Sequence, residues 1–132
     1  MGKREKGETG KDEFEELVRR VIGCCIEVHR RLGPGFLESV YHRALEIELA
    51  ETGIAFETQK EIRIAYRERY VGDHRLDLLV DERLVVELKT AERIHRDHYA
   101  QVKSYLRAAG QRIGLLVNFA ASKADVRRVE LL

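Results

Sequence analysis

Asp77, Glu87 and Lys89 form a D-x9-E-x-K pattern inside apolar, alternating stretches of chain. Leu76, Leu78 and Val80 alternate with Asp77 and Leu79, and Leu84, Val86 and Leu88 alternate with Val85, Glu87 and Lys89. Both runs read as strands. Only Asp81-Glu82-Arg83 separates them, so a hairpin is the economical connection. If Val80 faces Leu84 across that loop, Asp77 faces Glu87, and Glu87 and Lys89 project from one face of their strand. Facing carboxylates repel and weaken a sheet, which a divalent cation would offset. Oxygen-only ligands suit a hard ion such as Mg²⁺, with Mn²⁺ as a substitute, and the backbone carbonyl of Leu88 could add a ligand. Such an ion lowers the pKa of a water and stabilises charge at phosphorus, with Lys89 beside the attacking water. The chemistry this set could perform is phosphodiester hydrolysis. Two alternatives stay open: a two-residue loop would send Asp77 to the opposite face, and acid–lysine neighbours on a strand also form plain surface ion pairs.

The elements that must position these groups follow from the apolar period. Phe14, Leu17, Val18, Val21, Cys25, Val28 and Leu32 recur at three- and four-residue steps, predicting a long amphipathic helix with Asp12 as its N-cap. Residues 1–11 are expected to be a disordered tail and residues 12–132 a single domain. Gly33-Pro34-Gly35 stops this helix. A second helix is expected from Phe36 to Thr52, with Leu37, Val40, Tyr41, Ala44, Leu45 and Leu49 facing inward and Gly53 closing it. Ile62, Ile64 and Tyr66 predict a strand. Arg96 to Ala109 predicts a third helix with Gly110 as its cap. The continuous apolar run Ile113–Phe119 predicts a strand covered on both faces, followed by a short edge strand from Val126 to Leu131. The order ααβββαββ points to α+β with a mixed β-sheet flanked by helices.

A chain of 132 residues suits one core, and 44% hydrophobic with 36% charged residues suits a soluble globular protein. No apolar run reaches the ~18 residues of a membrane span, and residues 1–10 lack the apolar stretch of a secretory signal, so a cytoplasmic address is expected. The net charge of +1 excludes a globally basic nucleic-acid binder. Its distribution is uneven, however. From Arg93 to Arg128 eight basic residues stand against Asp97 and Asp125, which could provide a phosphate-facing surface or simply a solvated helix face and basic tail. Adjacent Cys24 and Cys25 point about 100° apart on a helix, so they form neither a disulfide framework nor a metal knuckle and are expected to pack. His29 reads as a packing histidine. His95 and His98 are three apart, but no Cys or third His joins them as metal ligands.

Glu87-Leu88-Lys89 after a strand, with Asp77 ten residues earlier, resembles the core of PD-(D/E)XK nucleases. Gly35-Phe36-Leu37-Glu38-Ser39-Val40-Tyr41 resembles the pattern naming the GxxExxY family, a branch of that superfamily. Val28–Gly35, Gln101–Leu106 and Gly114–Phe119 fit the same family, so the resemblance runs from about residue 14 to 131. It implies a restriction-endonuclease-like α/β core. It also implies that Asp77 and Glu87 are metal ligands, that Lys89 is the catalytic lysine, and that Glu38 is an additional acid near the metal. Gln101 would support the site, and Tyr41 and Tyr105 would orient ligands or stack on a substrate base. Leu76 stands where the motif's name has proline. Glu38 in a helix first turn is also favoured by the helix dipole alone, and Tyr41 fits packing as well as substrate contact.

Two functions fit. One is a Mg²⁺-dependent nuclease on DNA or RNA, with Lys103, Arg107 and Arg112 as candidate phosphate contacts. The other is a non-catalytic nucleic-acid-binding or assembly module that keeps the nuclease fold. A homodimer or larger complex is compatible with so short a chain.

Overall fold

The computed structural model describes residues 6–132. Its elements are α1 (Lys6–Leu32), α2 (Glu38–Glu51), β1 (Phe56–Tyr66), β2 (Arg69–Val80), β3 (Leu84–Lys89), α3 (Arg96–Ala109), β4 (Ile113–Asn118) and β5 (Asp125–Glu130). The order is the expected ααβββαββ. One five-stranded sheet runs β1-β2-β3-β4-β5, antiparallel throughout except for the parallel β3–β4 pair that α3 connects. A mixed sheet between helices is therefore what the hydrophobic period predicted.

One face of the sheet packs on α1 and α2. Leu17, Val18, Val21, Cys24, Cys25 and Val28 of α1 meet Leu78, Val80, Leu84, Val86, Leu88, Leu115 and Val117. The other face packs on α3, where Val102 and Leu106 meet Leu76, Leu79, Val85, Leu116 and Val129. Each fully buried aliphatic side chain contributes about 1.5–3 kcal/mol, so two apolar faces hold the sheet in place. Gly114 lets α3 sit close: a Cβ there would lie 3.3 Å from Leu106 Cδ2 and 3.4 Å from Val102 Cγ1. His29 packs as expected, with Nε2 2.8 Å from the Ala121 carbonyl oxygen.

Several boundaries differ from the sequence reading. Helix α1 begins at Lys6 rather than at an Asp12 cap, so residues 6–11 are helical rather than a tail. A helix nucleated by the packed turns after Phe14 propagates backwards at one hydrogen bond per residue, and Gly7 and Gly10 do not outweigh that. Residues 1–5 of the expected tail lie outside the described ones. On α2 the inward stripe is Tyr41, Leu45 and Leu49 at strict four-residue steps. The helix starts at Glu38 rather than Phe36, so Leu37, expected inside, is an extended cap residue and 76% exposed, while Val40, also expected inside, lies on the outer side of α2 and is 37% exposed. Strands β1 and β2 are longer than the alternation suggested. They join through Arg67-Glu68, both at positive φ (50° and 66°), as a two-residue type I′ turn demands.

The β2–β3 register is the predicted one, with Val80 opposite Leu84 and Leu78 opposite Val86. The ladder then stops. At the next position β1 and β2 also skip a pair: Thr58↔Leu78 and Lys60↔Leu76 are in register, while Gln59 between them sits at φ +51°. Leu76 turns into the α3-side cluster, whereas Leu78 turns to the α1/α2 side. Strand β2 is thus kinked at Asp77, and the side-chain alternation expected through Leu76, Leu78 and Val80 breaks there.

Candidate active site

The kink separates β2 from β3 at the point where the two carboxylates sit. Leu88 N–H, left without a ladder partner, donates to Asp77 Oδ2 at 2.8 Å. Asp77 N–H donates reciprocally to Glu87 Oε1 at 3.4 Å. Two side chains thereby replace the backbone pairing that the splay removes. In a strand the N–H and C=O of one residue face the same neighbour, so the Leu88 carbonyl lies on the edge that faces Asp77. The Lys89 carbonyl faces the other way and accepts from Phe119 N–H at 3.0 Å.

Glu87 is 4% exposed. Burial pushes its carboxyl up to about 9, and the Asp77 carboxyl beside it adds to the rise through charge and a hydrogen bond. Lys89 opposes this only in part. Burial beside a second acid therefore disfavours the charged form of Glu87. Lys89 is half-buried, and its Nζ donates to Gln101 Oε1 at 3.4 Å, so α3 holds the lysine by the glutamine expected to support it. Glu38 is the first residue of α2, where the dipole favours an acid. Its carboxyl is nevertheless raised, first by burial and then by the charge of Asp77. An open cleft of about 420 Å³ is lined by Glu38 and Asp77 together with His42, Glu46, Thr58 and Gln59 among others. A larger depression of about 690 Å³ between α1 and the β2–β3 turn holds none of them.

The loops around the centre are tied down by buried polar groups that the sequence reading did not single out. Asn118, 1% exposed, accepts from Ala91 N–H (3.1 Å) and donates to the Ala91 carbonyl (2.8 Å), fixing the chain just after Lys89. His42 Nε2 lies 2.8 Å from Thr58 Oγ1 and joins α2 to β1 beside Glu38. His74 lies on β2 three residues before Asp77. Its ring stacks on Tyr105 at 3.5 Å between centroids, with 9° between planes. Burial lowers its pKa.

Asp77, Glu87, Lys89 and Gln101 are thus brought together, with Tyr105 and Glu38 at the margins. Four expected contacts are not. Tyr41 is fully buried: its hydroxyl donates to the Gly33 carbonyl (2.6 Å), accepts from Phe36 N–H (3.2 Å), and its ring stacks on Phe119. It pins the turn that starts α2 and offers no face to a base. Lys103 and Arg107 are exposed but lie about 200° around α3 from Gln101 and Tyr105, across the buried Val102–Leu106 stripe. Arg107 instead sits in the last turn, where the dipole favours a cation. Arg112 is exposed on the turn beyond α3. His95 and His98 cap α3, His95 N–H donating to His98 Nδ1 at 3.0 Å. Among the described residues no three His, Cys, Asp or Glu side chains converge as a ready metal cluster. No helix among them is long and apolar enough to cross a membrane.

A solved structure described as the crystal structure of SSO0001 is similar in fold, with a TM-score of 0.57 at 21% identity. The match covers 70% of this chain and 48% of that protein, so the chain spans about half of its length. No curated protein sequence matches. A family model of the PD-(D/E)XK nuclease superfamily matches residues 15–129, which take in every strand start and all the groups of the centre. With its mixed sheet and its D-x9-E-x-K hairpin, the chain belongs to the PD-(D/E)XK nuclease superfamily.

Proposed function

We propose that this protein is a divalent-cation-dependent nuclease that hydrolyses nucleic-acid phosphodiester bonds at Asp77, Glu87 and Lys89. The observation that carries the reading is the meeting of two carboxyls over a splayed strand pair, with a lysine held at their side. The donor set fits a hard cation. All the donors are oxygens, and the raised Glu87 carboxyl describes a site short of positive charge. Asp77 and Glu87 would hold the ion with the Leu88 carbonyl. Glu38, not converging with them as a third direct group, would act through water. Mg²⁺ keeps several waters and suits so few protein ligands; Mn²⁺ would substitute. When bound, the cation supplies Lewis-acid stabilisation of the phosphate and a lowered pKa for water.

The chain's own residues do the rest. Gln101 orients Lys89, whose ammonium faces the charge that develops at phosphorus. The Gly35–Tyr41 segment supports placement in the GxxExxY branch, since each lettered position has a task. Gly35 adopts φ +109°, Glu38 opens α2 towards Asp77, and Tyr41 clamps the turn between them.

Cleavage of plasmid, single-stranded DNA and RNA in the presence of Mg²⁺ tests the proposal. Wild type should cleave at least one of them, and Lys89→Ala should lose at least ~100-fold in rate, the usual scale for removing a charge-stabilising group. Equal cleavage by Lys89→Ala would refute the assigned chemistry. One observation favours a second reading, a binding or assembly module: Lys103 and Arg107 point away from the centre. Salt-sensitive binding of DNA without cleavage under any condition, weakened by Lys103→Ala but not by Asp77→Ala, would support that reading instead.

A further inference from the structure

His74 takes no part in the roles assigned so far, yet its Nε2 is buried with no hydrogen-bond partner among the described residues. Leaving such a nitrogen unpaired costs about 1–3 kcal/mol, so it is expected to be satisfied in another state of the protein. Its nearest acidic atom is Glu87 Oε1, 3.5 Å away, just beyond ordinary hydrogen-bond reach. The same oxygen receives Asp77 N–H at 3.4 Å, also long. The ring cannot turn freely, because it lies flat against Tyr105. Two nitrogens therefore stand within 3.5 Å of one oxygen of Glu87. Both contacts shorten if that oxygen carries full negative charge.

We propose that His74 is a positioning residue of the centre: seated on Tyr105, it holds Glu87 Oε1 and so presents Oε2 to the cation. This rests on the cation reading above. Tyr105 acquires a definite task here. It is the platform of the imidazole rather than a stacking surface for a base. Partners of this kind, bonded to a ligand rather than to the ion, typically change metal affinity by about 10–100-fold when removed.

The test is Mn²⁺ binding by calorimetry on purified protein without nucleic acid, beside thermal unfolding of the same samples without metal. His74→Phe keeps a ring on Tyr105 and removes the N–H. It should weaken Mn²⁺ binding about 10–100-fold and leave the unfolding temperature of the metal-free protein close to wild type. His74→Gln places an amide N–H near the same oxygen and should recover most of the affinity. If His74→Phe binds Mn²⁺ as tightly as wild type, the histidine only packs and the proposal is overturned. If wild type takes up no Mn²⁺, the cation reading falls and the role of His74 falls with it, so the two failures are told apart. Should His74→Phe not fold, His74→Gln against His74→Ala decides: equal affinities in those two variants also overturn it.

Discussion

Strands β2 and β3 meet in two different ways along one hairpin. From Leu78 to Val80 they pair backbone to backbone with Leu84 to Val86, and every side chain in the segment is buried and aliphatic. At the next position the same strands part, and carboxylates bridge the gap where amides and carbonyls would have met. The closed part gains stability from apolar area. In the open part, buried like charges oppose folding unless something compensates them. The difference teaches that this centre is assembled against local stability and relies on the neighbouring ladder and on Asn118 to hold it.

The comparison breaks most sharply in the closed part. Leu84 is fully buried, and Leu84→Ala should cost about 3 kcal/mol in urea unfolding, the usual scale for a deep core leucine. Mn²⁺ affinity of the folded variant should barely change, since the residue faces α1 and not the acids.

The open part should respond in the opposite sense. Glu87 has a folded-state pKa raised from 4.5 to about 9, so the native state holds a proton that the unfolded chain releases. Stability of the metal-free protein should therefore fall as pH rises from about 5 to about 9. Glu87→Gln should remove most of that slope and stabilise the metal-free protein at pH 8 by on the order of 2 kcal/mol. The same variant should lose Mn²⁺ binding. A flat pH profile in wild type would contradict the buried acid pair.

The smallest effects belong to backbone strain. Gln59 opposite the kink (φ +51°) and Glu82 in the β2–β3 turn (φ +61°) both adopt the left-handed region without being glycine. Gln59→Gly and Glu82→Gly should each stabilise by about 0.5–1 kcal/mol in denaturant titrations. Only Gln59→Gly should also alter Mn²⁺ affinity, because only Gln59 lines the cleft with Asp77.

How much of this was legible beforehand depends on what each residue advertises. The Val80–Leu84 register could be read because period-two alternation on both sides of a three-residue loop leaves few choices. Helix ends at Gly33 and Gly110 could be read because a left-handed cap has a residue type of its own, and both sit at positive φ. The first half of β2 could not. Arg67-Glu68 carries no Asn or Gly to announce a type I′ turn, so Arg69–Arg75 was assigned to no element and His74 went unnoticed. The kink was equally silent, since a positive φ at glutamine has no signature in the letters. That Lys103 and Arg107 stand on another side of α3 from Gln101 was not read, because a count of charges ignores the angle around a helix. The acids and the lysine themselves were legible from spacing. The reciprocal bonding of Asp77 and Glu87 to each other's backbone was not, for it exists only where the ladder fails.

The buried cysteine pair of α1 has a practical consequence. Burial pushes the Cys25 thiol up to about 12 and raises Cys24 as well, so neither offers an appreciable thiolate at neutral pH. A disulfide reagent added to the native protein should reach Cys25 only when the helix lifts away from the sheet. The rate of its colour change then becomes a clock for that opening. Because α1 and α2 back the strand ends that carry the acids, the clock should slow when Mn²⁺ is added.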